Sequence, residues 1–210
     1  MTILIHSSKT MRSPHNMGAA TRPVLMGKIK PLAEYVQTLS TAQLQTIMGI
    51  SATLAAKVHD TMNAWSVASR QQSLAMDSFV GDIYSGLRAS ALSQADRDYA
   101  QQHLRILSGL YGILRPYDGV RSYRLEMGYK LPDQPYANLY KYWDRDIAQT
   151  LPPEGLVVNL SALEYTKTVL PYVDASRVVA PRFLTVNTKT GEPSQVIVHT
   201  KIARAHLLAG

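Results

Sequence analysis

Residues 104–118 read LRILSGLYGILRPYD. Two glycines, Gly109 and Gly112, interrupt apolar residues that otherwise follow a helical spacing, and Pro116 closes the run. Glycine in a helix interior costs about 1 kcal/mol relative to alanine, so a single uninterrupted helix is disfavoured. Glycine also admits positive φ and therefore a tight turn. A helix that ends in hydrophobic-Gly-hydrophobic-x-Gly and restarts is a helix–hairpin–helix pattern. Ser108, Gly109, Leu110, Tyr111 and Gly112 would form the hairpin, with Leu107 and Leu110 packed inward. Backbone N–H groups left bare near a helix N-terminus bind phosphate, and Arg105 and Arg115 flank this turn. Pro116 keeps the second helix short. The alternative is a helix C-cap followed by a plain turn.

The remainder of the chain alternates strand and helix signals. Residues 2–6, TILIH, are apolar and β-branched and predict a short buried strand. Ile29, Leu32, Val36 and Leu39 have helical spacing. Ser40 or Thr41 caps a second helix, and Ser51 a third with Leu54, Val58, Met62 and Trp65 on one stripe. Ser93 opens a fourth with a capping-box-like SQAD, in which Asp96 takes the usual Glu or Gln position. That helix is expected to run through His103, Leu104 and Leu107 into the glycines. Residues 73–79, 123–127 and 156–160 read as strands, and 138–150 as a helix stopped by Pro152 and Pro153. A hairpin is expected from 177–186 and 195–199, and a helix over 201–210. Repeats, low-complexity tracts and linker-like composition are absent from the sequence. This interleaving predicts one mixed α+β domain over residues 1–210, a β-sheet flanked by helices.

The net charge of +7 in 210 residues points to an anionic partner without naming it. Residues 1–33 carry Lys9, Arg12, Arg22, Lys28 and Lys30 and no acid. Further excess positive charge lies in 101–145 and 167–210, whereas 32–100 is net negative. If the three positive segments meet, they form a basic cleft; otherwise they are scattered surface charge. The sequence has no cysteine, which excludes disulfides, thiolate metal sites and thiol-based redox sensing. No apolar run approaches the roughly 18 residues of a membrane span, and the N-terminal run precedes its first charge, the reverse of a secretory signal. Together these favour a cytoplasmic protein.

Residues 101–131, QQHLRILSGLYGILRPYDGVRSYRLEMGYKL, closely resemble the signature of the YaaA family, also called DUF328 or UPF0246, the bacterial peroxide-stress proteins. Further blocks agree in order: ILIHSSKTM, FVGDIYSGL, NLYKYW, VVNLSALEYTKTV and APRFL. The resemblance runs from residue 3 to about 206. It implies a YaaA-type α+β fold, with a helix–hairpin–helix beside a basic cleft. It also implies binding to duplex and structurally defective DNA, largely without sequence specificity. The cellular role it implies is protection from hydrogen peroxide, with less free iron and less Fenton damage. The family usually continues beyond this point, so the chain is expected to lack the usual C-terminal extension.

By this resemblance Lys9 matches the lysine of the family's SPAKT motif, although His6 and Ser7 replace its Ser-Pro. Arg124, Glu126 and Lys130 match in YRLEMGYKL. Arg124 and Glu126 would share one face of a strand, as a site or as a structural ion pair. Asn159, Glu164, Tyr165 and Lys167 lie in or just after a strand end. Lys201 and Arg204 match a basic C-terminal helix with one charge lost. The expected nucleic-acid contacts are therefore Lys9, Arg105, Ser108–Gly112, Arg115, Arg124, Lys130, Lys167, Lys201 and Arg204. Tyr111 is the best placed tyrosine for a base; the other tyrosines between residues 99 and 142 are read mainly as core.

Two rival classes remain open. A DNA- or nucleotide-processing enzyme would use Lys9 with Glu126 or Asp82 as nucleophile and acid–base partner. An iron-binding protein is disfavoured, because the six histidines form no i, i+3 or i, i+4 pair and carboxylates are few. No cofactor, no metal site and no membrane partner are expected, and the protein is expected to be monomeric.

Overall fold

The computed structural model describes residues 1–13, 21–186 and 191–194. Strand β1 (Thr2–His6) is followed by β2 (Thr10–Met11) and helices α1 (Met26–Gln37), α2 (Thr41–Met48) and α3 (Ala52–Asn63). Next come β3 (Ser73–Leu74), α4 (Ala75–Ser78), β4 (Phe79–Val80), α5 (Asp82–Leu87) and α6 (Gln94–His103). Then follow β5 (Leu104–Ser108), β6 (Gly112–Leu114), β7 (Gly119–Val120), α7 (Leu139–Trp143) and α8 (Asp146–Gln149). The order closes with β8 (Val157–Asn159), α9 (Leu163–Thr166), β9 (Val178–Val179), β10 (Thr185–Val186) and β11 (Pro193–Ser194). Among the described residues, no helix is long and apolar enough to cross a membrane.

The main sheet has five strands in the order β6-β5-β1-β8-β9. β1 runs parallel to both neighbours, with Ile3 opposite Leu104 and Thr2 opposite Val157. A strand with parallel neighbours is covered on both faces, which is why TILIH is continuously apolar rather than alternating. Leu4 and Ile5 are fully buried. β6 returns antiparallel to β5, so the sheet is mixed. The fold is mixed α and β, as the interleaved sequence signals imply.

The capped helices form where their signals stand. Ser40 and Gln43 make a complete capping box for α2, and Ser51 accepts from the Leu54 N–H at α3. Each such cap contributes on the order of 1 kcal/mol. Ile29, Leu32, Ala33 and Val36 form the buried stripe of α1, and Trp65 just beyond α3 joins the same core. Ser93 and Asp96 close the capping box of α6, but none of that helix's residues is buried. α6 is an outer helix that delivers the chain to the sheet.

The helix–hairpin–helix expectation fails here. α6 stops at His103, and residues 104–114 form a β-hairpin in which Leu107 faces Ile113 and Ser108 faces Gly112. Buried Leu104, Ile106 and Leu107 in succession serve a strand covered on both sides. A short apolar run does not by itself separate helix from strand. The glycines are present for packing. A Cβ on Gly109 would lie 2.3 Å from the Leu125 carbonyl oxygen, and Gly112 has φ of +68° with Trp143 and Leu25 about it. The Trp143 indole N–H donates to the Gly109 carbonyl at 3.0 Å.

Other expectations shift more modestly. Residues 73–79 divide into β3, α4 and the start of β4. The strand expected at 123–127 is absent: residues 123–126 belong to no strand, Met127 begins a turn, and Glu126 is buried together with Tyr123, Leu125 and Met127, so burial does not alternate. The helix expected over 138–150 breaks into α7 and α8 at Asp144, which has φ of +43°. β9 joins the main sheet, whereas β10 pairs with β11. The expected strand at 195–199 and helix at 201–210 lie outside the described residues.

Gly109→Ala should cost about 3 kcal/mol of stability, the upper range for forcing extra atoms into a packed site. Urea denaturation measures it. An alanine tolerated within 0.5 kcal/mol, the usual scale of surface changes, would contradict this close approach.

Candidate functional site

A cleft of about 400 Å³ opens where the chain leaves the carboxyl end of β1. Crevices at this end of parallel strands are the usual ligand sites of such sheets. His6, Ser7, Ser8 and Lys9 form one wall. β2 pairs with β4, which sets Gly81 and Asp82 against that wall, and the Ser8 hydroxyl donates to the Val80 carbonyl. Glu126 enters from the 123–127 segment, and Glu164 and Tyr165 from α9, which follows β8.

The polar groups are closely linked. The Lys9 ammonium lies 3.8 Å from Glu126 Oε2, with the lysine side chain 59% exposed and the glutamate 11%. The Tyr165 hydroxyl donates to Glu126 Oε1 at 3.2 Å, and the Tyr165 ring stacks on His6 with centroids 5.0 Å apart. His6 Nδ1 accepts from the Ala162 N–H at 3.1 Å, which leaves the proton of a neutral ring on Nε2. The Tyr84 hydroxyl donates to the His6 carbonyl at 2.9 Å. The Arg124 guanidinium donates to the Lys9 carbonyl at 3.4 Å. Glu164 accepts from the Gly128 N–H at 2.8 Å, tying the Glu126 segment to α9.

Burial raises the Glu126 carboxyl above its ordinary range; Lys9 opposes the shift and Glu164 adds to it. Burial also raises Tyr165, with Glu126 reinforcing the effect, and raises Tyr84 well above its usual value. Both phenols are therefore neutral donors. The cleft lining holds one cation, Lys9, three carboxyl groups, Asp82, Glu126 and Glu164, and fixed hydroxyl donors. Such a set suits proton transfer, while anions are favoured only at its Lys9 rim. No group of three or more metal-ligating side chains is present among the described residues.

The predicted residues divide clearly. Lys9, Glu126 and Arg124 meet at the cleft. Lys130 and Lys167 are exposed on the two segments joined by the Gly128–Glu164 contact. Arg105 instead donates to the Gln101 and Leu104 carbonyls, and burial, with Arg115 nearby, lowers its pKa. Arg115 is held by Asp118 at 3.0 Å and the Arg22 carbonyl at 3.1 Å. Ser108, Gly109, Leu110, Tyr111 and Gly112 are buried, so no phosphate cradle is displayed. The Tyr111 hydroxyl accepts from Trp65 and the Arg121 N–H rather than facing a base. Lys201 and Arg204 lie outside the described residues. Asp82, expected as a possible partner of Lys9, lines the same cleft, as do Glu164 and Tyr165; His6 and Tyr84 stand in ILIHSSKTM and FVGDIYSGL, but no local signal assigns them to the site.

The family described as peroxide stress protein YaaA matches residues 1–209. The chain belongs to the peroxide stress protein YaaA family. A UPF0246 protein of Salinispora tropica is 53% identical over 205 residues, covering 97% of this chain and 78% of that relative. Membership of the YaaA family supports a role in peroxide stress. The blocks that carry the YaaA resemblance supply the cleft: ILIHSSKTM gives Lys9, FVGDIYSGL gives Asp82, YRLEMGYKL gives Glu126, and NLSALEYTKTV gives Glu164 and Tyr165.

A raised native pKa means that the folded state holds the Glu126 proton more tightly than the unfolded state. Stability should thus fall as pH rises from the ordinary value of 4.5 through the raised value. Glu126→Gln should flatten that limb in denaturation series run at successive pH values. An unchanged slope would remove Glu126 as its source.

Proposed function

We propose that this protein contacts DNA through the cationic rim of the cleft, within the peroxide-stress role of its family. The observation that carries the reading is the exposed Lys9 ammonium at the mouth of the cleft, backed by Arg124. Lys130 and Lys167 extend the positive rim along the adjoining segments. Phosphate contacts of this kind give affinity without sequence readout. The cleft volume lies in the range of small-ligand pockets, which suits one unpaired nucleotide unit better than an intact duplex. Preference for bulged or abasic DNA follows, and occupancy there helps limit iron-mediated damage. The protein acts in the cytoplasm as a monomer in this reading.

DNA affinity measured against salt tests it. The logarithmic slope should fall by about 0.9 for each phosphate contact removed, in Lys9→Gln and in Arg124→Gln. Bulged duplex should bind more tightly than intact duplex. Weak binding that ignores both salt and these substitutions would sink the proposal.

The Lys9–Glu126 contact also favours a second reading, DNA or nucleotide processing. The lysine would pass a proton to Glu126 and its neutral amine would add to an abasic-site aldehyde; Glu126 would then protonate the carbinolamine oxygen, which leaves as water and gives the imine that borohydride reduces. Borohydride should then trap wild-type protein on abasic DNA and fail with Lys9→Gln. Equal trapping in both would refute the lysine's role.

A further inference from the structure

We propose that a second pocket, remote in sequence from the Lys9 wall, binds a phosphate group. This pocket of about 320 Å³ is bounded by the 67–72 loop, the entry to α1 and the segment after β7. Arg22, Arg70 and Arg121 line it, and no carboxylate does. Its residues are distinct from those of the cleft, so the inference does not rest on the DNA reading.

Arg121 is held in place. Its Nη2 donates to the Val67 and Ser69 carbonyls, each at 2.7 Å, and its guanidinium lies 5.9 Å from the Trp65 ring centre. The Arg121 N–H donates to the Tyr111 hydroxyl at 2.9 Å, which also accepts from the Trp65 indole. A guanidinium fixed in this way loses little freedom when it engages an anion. Arg22 and Arg70 are exposed, and their side chains have no hydrogen-bond or carboxylate partner among the described residues. Asp118, the nearest carboxylate along the flanking chain, is buried and engaged by Arg115 and Thr21. Among the described residues none of the three arginines has a carboxylate partner. The pocket also borders the start of α1, where Leu25 provides no side-chain cap and the first turn has no acid. The positive end of that helix adds to the same potential.

Arginine forks match the oxygens of phosphate in paired hydrogen bonds, which a monatomic anion does not offer. The phosphate group has two possible sources, a small phosphorylated molecule or a nucleic-acid backbone. Titration calorimetry of the full chain with pyrophosphate at low salt tests the site. Wild type should bind saturably. Arg22→Gln and Arg70→Gln should each weaken binding about fivefold or more, and together abolish it, because each removes a charge-assisted contact. These side chains are exposed and unpaired, so thermal melts should match wild type. Displacement of pyrophosphate by duplex DNA would assign the backbone as the source, and failure to displace would assign a small molecule. Absence of saturable binding, or equal binding in the double variant, would overturn the proposal.

Discussion

At Gly109 the backbone of the hairpin turn lies so close to the Leu125 carbonyl that no side chain fits between them. That approach fixes the 123–127 segment against the sheet. Tyr123 and the Ser108 hydroxyl share a hydrogen bond of 2.6 Å, and Leu125 and Met127 are buried beside the turn. On the same segment Arg124 is half-buried and Glu126 is buried. Both reach Lys9, one at its carbonyl and one at its ammonium. The glycine-rich turn therefore shapes the cleft from behind, although it is itself closed to ligands.

The cleft and the arginine pocket use charge differently. Inside the cleft Glu126 lies within reach of Lys9, so its interior is polar but not simply positive. A phosphate is drawn to its rim cations and repelled deeper in, whereas an uncharged base or sugar pays no such penalty. The second pocket has three guanidinium groups and no acid in its lining. One suits a neutral moiety with an acidic tether, the other the anion itself.

Much of this was readable in the sequence. Ser40, Ser51 and Ser93 mark helix starts through local hydrogen bonds, and TILIH marks a strand through its unbroken apolar character. Lys9, Arg124 and Glu126 were identifiable from the quoted blocks and do meet. The hairpin was not readable, since residues 104–114 satisfy either period and the reason for glycine lies in distant Leu125 and Trp143. Positive residues were equally ambiguous: Arg105 and Arg115 are consumed by carbonyls and by Asp118. Local signals survive translation into structure; those whose meaning depends on a remote partner do not.

The central position of β1 sets the timetable of folding. Its partners lie near residues 104–107 and 157–159, so the first strand gains its second neighbour only late in synthesis. At the roughly 5–20 residues per second of synthesis, TILIH waits on the order of ten seconds or more for its second neighbour. Pairing across so long a separation is intrinsically slow. Until then the apolar Ile3, Leu4 and Ile5 lack the second neighbour that covers them in the finished sheet.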